Sequence, residues 1–146
     1  MKVLAIVAIV LGFAACTLTP DPGVPAGYVS VPTQGDEVLS VVAATGNRMV
    51  VKQHVNPPEG TLEFWRDAVR NELVDGRGYE VMESKGVARA AGVPAWEMLF
   101  RVVRQEGAYL YLVTIRVDGH SVIVAEAGGQ EDSIRPDLDV LRQAMR

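Results

Sequence analysis

Three side chains in this 146-residue sequence have the most capacity for covalent or acid–base chemistry: Cys16, His54 and His120, its single cysteine and its two histidines. One thiol forbids an internal disulfide, and with two imidazoles it argues against a multi-ligand zinc site. His54 ends a candidate strand beside Asn56-Pro57. As a general base it would need an orienting partner, and Asp36, Glu37 and Glu59 are near it only in sequence. An edge or surface histidine is the plainer reading. His120 follows Gly119 and reads as part of a two-residue turn. No Gly-x-Ser-x-Gly elbow and no Walker loop occurs. Gly76-Arg77-Gly78 lacks the strand-loop-helix setting of a phosphate loop. Glu126, Glu131 and Asp132 flank Gly128-Gly129 without the ligand spacing of a calcium loop, so a solvated acidic turn is expected. No catalytic residue, metal ligand or cofactor is assigned. Trp65, Trp96, Tyr109 and Tyr111 are the largest apolar side chains, with core packing as the default. If the final helix leaves part of a sheet face open, Tyr109 and Tyr111 would line a groove for a peptide or a small apolar ligand.

The setting of Cys16 gives its thiol a different use. Lys2 precedes an apolar run from Val3 to Phe13, 11 residues long. That is too short to span a bilayer and fits the apolar region of a secretory signal peptide. Phe13-Ala14-Ala15-Cys16 resembles the lipobox of bacterial lipoproteins, with phenylalanine where leucine is commonest. The resemblance implies a diacylglyceryl group on the Cys16 thiol, cleavage before it, and usually acylation of the new N-terminus. Ordinary secretion with cleavage after Ala14 or Ala15 is the rival reading. Two or more acyl chains anchor stably where one binds reversibly. The expected location is the cell membrane or the outer membrane, with the domain on the extracytoplasmic side. Thr17 stands where an aspartate resembles an inner-membrane retention signal in Gram-negative lipoproteins; in a host with two membranes this favours the outer one.

Charge narrows the partners. The sequence has 14 basic and 18 acidic residues, a net of −4. Removal of Lys2 leaves 13 basic and 18 acidic, a net of −5. A nucleic-acid binder would lean basic, and an acidic domain gains nothing from anionic lipid. The lipid would do the anchoring.

Residues 1–15 therefore read as signal peptide and residues 16–27 as lipidated N-terminus and tether. Pro20, Pro22 and Pro25 disfavour helix and sheet there. Residues 28–146 read as one α+β domain. Val38–Ala43 and Met49–Val55 are candidate strands of a hairpin turned by Thr45-Gly46-Asn47-Arg48. Thr61 caps a helix to about Val74, with Leu62, Trp65, Val69 and Leu73 as its apolar stripe. Candidate strands follow at Tyr79–Arg89, Trp96–Gln105, Ala108–Asp118 and Ser121–Ala127, the last three joined by tight turns. Met98, Phe100 and Val102 alternate with Glu97, Leu99 and Arg101. Tyr109, Tyr111, Val113 and Ile115 share one face, and the apolar Leu110 and Leu112 imply cover on the other. Gly128–Asp132 reads as a loop. Ser133 is expected to cap a last helix through Met145, with Leu138, Leu141 and Met145 facing the core.

Antiparallel strands with segregated helices make an α+β class: a hairpin, one helix, a four-strand meander and a C-terminal helix. This order resembles the Mog1/PsbP-like fold, including DUF1795-type bacterial proteins, over Leu62 to Met145 and part of the preceding hairpin. The Trp65 helix, Gly78-Tyr79, the stretch Gly92–Phe100 and Val122–Gly129 carry the resemblance. It implies a binding or accessory protein rather than an enzyme. The first expectation is a lipid-anchored envelope protein with an unidentified envelope partner. An envelope carrier or sensor with a ligand groove between sheet and helix is second. A hydrolase assembled only in three dimensions is third, and His54 beside a carboxylate would revive it.

Overall fold

The structure is a computed structural model, described here for residues 23–88 and 92–146. Cys16 and the apolar run before it lie outside the described residues. Seven strands form one antiparallel sheet: β1 (Tyr28–Ser30), β2 (Glu37–Ala43), β3 (Arg48–Val55), β4 (Glu80–Ala88), β5 (Pro94–Arg104), β6 (Gly107–Asp118) and β7 (Ser121–Gln130). Their order across the sheet is β1-β2-β3-β7-β6-β5-β4. The hairpin β2–β3 turns through Gly46 at φ 87° and the hairpin β6–β7 through Gly119 at φ 52°, backbone conformations that favour glycine. β7 returns to lie beside β3 and closes the two halves into one sheet.

Helix α1 (Leu62–Asn71) starts at Thr61, whose hydroxyl accepts from the Phe64 amide at 3.2 Å. It widens into a π turn over Glu72–Gly76 before β4. After β7 come α2 (Glu131–Ile134), a 3-10 turn at Arg135–Asp137, and α3 (Leu138–Met145). The expected single C-terminal helix is broken at Pro136, which has no N–H to continue the α ladder. Ser133 is not its cap. It sits inside α2 and donates its hydroxyl to Asn47 Oδ1 at 2.7 Å.

The alternation along the strands sorts two cores onto opposite faces. On one face α1 covers Met98, Phe100, Val113, Ile115, Val122 and Val124, with Leu73 from the π turn. On the other, α2 and α3 cover Val41, Met49, Leu99, Leu110, Leu112 and Ala125, through Ile134, Leu138, Leu141 and Met145. The result is three layers, helix on sheet on helix. β4 is an edge strand, irregular between Val81 and Glu83 and carrying Glu80, Glu83 and Lys85. A bulge and charges are what keep a free edge from pairing with another chain. Val24, Pro25 and Ala26, just before β1, lie beside Val140 and Ala144 of α3.

β7 is longer than expected. Gly128 and Gly129, read from sequence as a loop, pair in register with Tyr111 and Leu110. A Cβ on Gly128 would lie 3.1 Å from the Tyr111 ring, and one on Gly129 only 2.1 Å from Asn47 Oδ1. The glycines serve close packing inside a strand, not chain reversal.

Candidate functional site

The β5–β6 hairpin carries two of the three tyrosines of the best candidate site, Tyr109 and Tyr111. Tyr109 and Tyr111 point to the α1 face because they share the alternation of Val113 and Ile115. Tyr79, which follows the π turn, stands edge-on to Tyr111 with ring centroids 5.8 Å apart and planes at 88°. The Arg104 guanidinium lies 5.7 Å from the Tyr79 ring centre. Together with Val102 and Gly128 these residues line a cleft of about 440 Å³. Tyr109 and Tyr111 thus do line a groove, but on the α1 face and not beside the last helix. Alternation along β6 reveals that the two share a face; only the chain path decides which helix covers it.

The cleft is mixed in polarity. Burial raises the Tyr111 phenol well above its ordinary range, and the neighbouring Glu126 carboxylate adds to the effect. Tyr111 is therefore a neutral hydroxyl at physiological pH. Glu126 is itself held by Lys52 at 2.9 Å. The apolar rings, the Arg104 guanidinium, the Glu106 carboxylate and a neutral phenol suit an apolar body with a polar end.

The histidines do not join this cleft. His54 Nδ1 lies 3.1 Å from Asp36 Oδ2, so the carboxylate that a catalytic reading requires is present. The pair is 41% and 46% exposed, and water levels its electrostatics. Ser121 lines the same shallow depression, but its hydroxyl accepts from the Gln53 amide at 3.2 Å. Gln53 and Ser121 share the sheet face opposite His54 by register. His120 pairs with Glu59 at 3.0 Å in full solvent. The three acidic residues near Gly128-Gly129 are dispersed. Glu126 pairs with Lys52, and Glu131 with Arg101 at 2.8 Å and with Arg135. Among the described residues no His, Cys, Asp and Glu group is arranged to hold a metal ion.

Two buried polar centres were not anticipated. Glu97 is 1% exposed on the α3 face. Arg142 Nε stands 2.9 Å from it, Lys85 Nζ 3.4 Å and Arg146 3.7 Å. Among the described residues none of these approaches makes an aligned hydrogen bond to either carboxylate oxygen. Glu83 bridges Lys85 and Arg142 from the next strand. Its partial burial opposes ionisation, but the two cations outweigh it and hold the carboxyl below its usual range. The signal was legible, since Glu97 interrupts Trp96-Met98-Leu99-Phe100 in the centre of a strand. The second centre is Asn47, fully buried, which donates to Ser133 O and Asp137 Oδ2 at 3.0 Å each.

Several solved structures share this architecture. Cyanobacterial PsbP from Synechocystis sp. PCC 6803 superposes with a TM-score of 0.61 at 15% identity, covering 82% of this chain and 79% of that one. The fold is Mog1/PsbP-like. LpqN of Mycobacterium tuberculosis, described as involved in cell envelope biogenesis, shares this Mog1/PsbP-like fold with a TM-score of 0.64 and 14% identity. It covers 84% of this chain and 77% of that one. A Pseudomonas aeruginosa protein of unknown function, PA94, gives 0.57 at 11% identity over 81% and 77% of the two chains. No family model and no curated protein matches the sequence. The antiparallel sheet with helices on it bears out the expected fold class.

Proposed function

We propose that this chain is a lipid-anchored protein of the cell envelope whose α+β domain binds or assists a partner without covalent chemistry of its own. The observation that carries the reading is Cys16, the only thiol, placed directly after Ala14-Ala15 at the end of an 11-residue apolar run. The likeness of the domain to LpqN, a protein involved in cell envelope biogenesis, supports the compartment. The exposed setting of both histidines supports a binding role over catalysis. The test is the intact mass of the protein from the membrane fraction of a bacterial host, beside Cys16→Ser. The expected product begins at Cys16 and carries the mass of a diacylglyceryl group, which Cys16→Ser lacks. An unmodified, soluble product cut near Ala14 would overturn the anchor and make the protein a secreted one.

The cleft of Tyr79, Tyr109, Tyr111 and Arg104 favours a second reading, an envelope carrier or sensor of a small ligand with an apolar body. A small molecule that co-purifies with the native chain and is lost from Tyr109→Ala would support it. Purification free of any such molecule, with no ligand-dependent shift of the tyrosine resonances on adding fatty acids or aromatic acids, would sink it.

A further inference from the structure

We infer that a second, preformed concavity at the start of α1 docks a protein segment presenting an apolar side chain beside a lysine or arginine. Phe64 is 59% exposed and is the one exposed aromatic among the described residues. It is not among the residues that pack α1 on the sheet, Leu62, Trp65 and Val69. With Pro57, Pro58, Gly60 and Trp65 it encloses about 440 Å³.

The surroundings are built to hold this shape. Asn56 is 3% exposed and uses its whole side-chain amide. Its oxygen accepts from Trp65 Nε1 at 2.8 Å and from the Gly60 amide at 2.9 Å. Its nitrogen donates to Gly60 O at 3.1 Å and to Gly119 O at 2.9 Å. A Cβ on Gly60 would stand 2.7 Å from Trp65 Nε1 and 2.9 Å from the Phe64 ring, so only glycine lets the loop close on the two rings. Phe64 and Trp65 meet edge to face at 5.4 Å. An exposed aromatic held rigid in a shaped hollow loses little entropy on binding, which is the property of an interface anchor.

Charge selects the occupant. Among the described residues Glu59 is the only charged one lining the hollow, and its exposed carboxylate also meets His120 Nδ1 at 3.0 Å. Glu63, next to Phe64, is kept ionised by its own backbone N–H and by the Thr61 hydroxyl. Asp67 is paired with Arg66, whose guanidinium lies 4.8 Å over the Trp96 ring. A hollow with an acidic rim repels an anionic lipid surface and attracts a cationic side chain. The inference rests on reading the domain as a binding module, while the Cys16 mass measurement stands or falls separately.

The test uses the full chain in nonionic detergent, with the Trp65 indole N–H followed by NMR. The probes are an acetylated, amidated Lys-Phe-Lys-Leu-Lys peptide and its counterpart with Glu in place of each Lys. The expected result is a saturable shift with the lysine peptide, weakened about tenfold by Phe64→Ala and severalfold by Glu59→Gln, and no shift with the acidic peptide. Glu59→Gln removes an exposed charge and its contact with His120, and leaves in place the Asn56 hydrogen bonds that shape the hollow. Equal response to both peptides, or unchanged binding in Phe64→Ala, would overturn the inference. A dimer of the wild-type chain that Phe64→Ala converts to monomer would overturn it too, assigning the hollow to a second copy.

Discussion

The Tyr28 hydroxyl donates to Asp137 Oδ2 at 2.9 Å, joining the first strand to the start of the last helix across 109 residues. The same oxygen accepts from Asn47, so one carboxylate fastens β1, the β2–β3 turn and the C-terminal segment. Tyr28→Phe keeps the buried ring and deletes only the hydroxyl. It is expected to cost about 1 kcal/mol in urea unfolding. Asp137→Ala strands two buried donors and should cost more. Equal costs for the two variants would show that the Asn47 bond adds nothing.

Alkaline pH should destabilise the protein earlier than its surface charges require. Burial, with the Asp137 contact, raises the Tyr28 phenol, and burial with Glu126 raises Tyr111. Both are phenols whose folded value exceeds the unfolded one near 10.0. Their contribution is complete below about pH 10 and drains away above it, because the unfolded chain releases protons that the folded one keeps. The limiting slope is about 1.4 kcal/mol per pH unit for each such group. The thermal midpoint should fall steeply above pH 10, and less so in Tyr111→Phe. Parallel pH profiles for wild type and variant would remove Tyr111 from the account.

Glu97 should be the most sensitive charge in the molecule. Glu97→Gln leaves Arg142 and Lys85 facing a neutral amide inside the α3 layer, at a cost of about 3 kcal/mol. Replacing Glu97 and Arg142 together by leucine removes both buried charges and should recover much of that loss. Denaturant midpoints decide it; a double variant as unstable as Glu97→Gln would mean that the charges themselves, and not their desolvation, hold the layer.

Gly129→Ala is expected to destabilise by about 2 kcal/mol, since Asn47 is tied to Ser133 and Asp137 and has no room to yield. Gly128→Ala meets only the edge of the Tyr111 ring at 3.1 Å and should cost less, while shifting the tyrosine resonances of the cleft. The reverse ranking by thermal denaturation would refute this packing account.

The parts of the fold read from sequence are those with long periodic patterns. The Leu62-Trp65-Val69 stripe marked α1, and alternation along Met98–Val102 and Tyr109–Ile115 gave the correct faces of β5 and β6. β1 escaped notice because three residues carry no period. Glycine normally breaks a strand, so Gly128-Gly129 reads as a loop; the crowding by Tyr111 and Asn47 that requires glycine here is long-range. Ser133 has the residue type of a cap, yet its hydroxyl is spent on Asn47, 86 residues away. The tyrosines of the cleft were visible, but Tyr79 and Arg104 join them only through the sheet order. Asn56 precedes Pro57 and carries no periodic signal, and one of its four hydrogen bonds reaches Gly119 in another hairpin.

Residues 23–26 run beside α3, so the chain enters the domain on that side. Six residues separate Cys16 from Gly23, so the two are at most roughly 25 Å apart along a fully extended chain. A lipid on Cys16 would keep the α3 side within that distance of the bilayer. The tyrosine cleft and the Phe64 hollow both belong to the α1 side. They would face outward together, presenting two differently shaped surfaces to whatever approaches the membrane from beyond it.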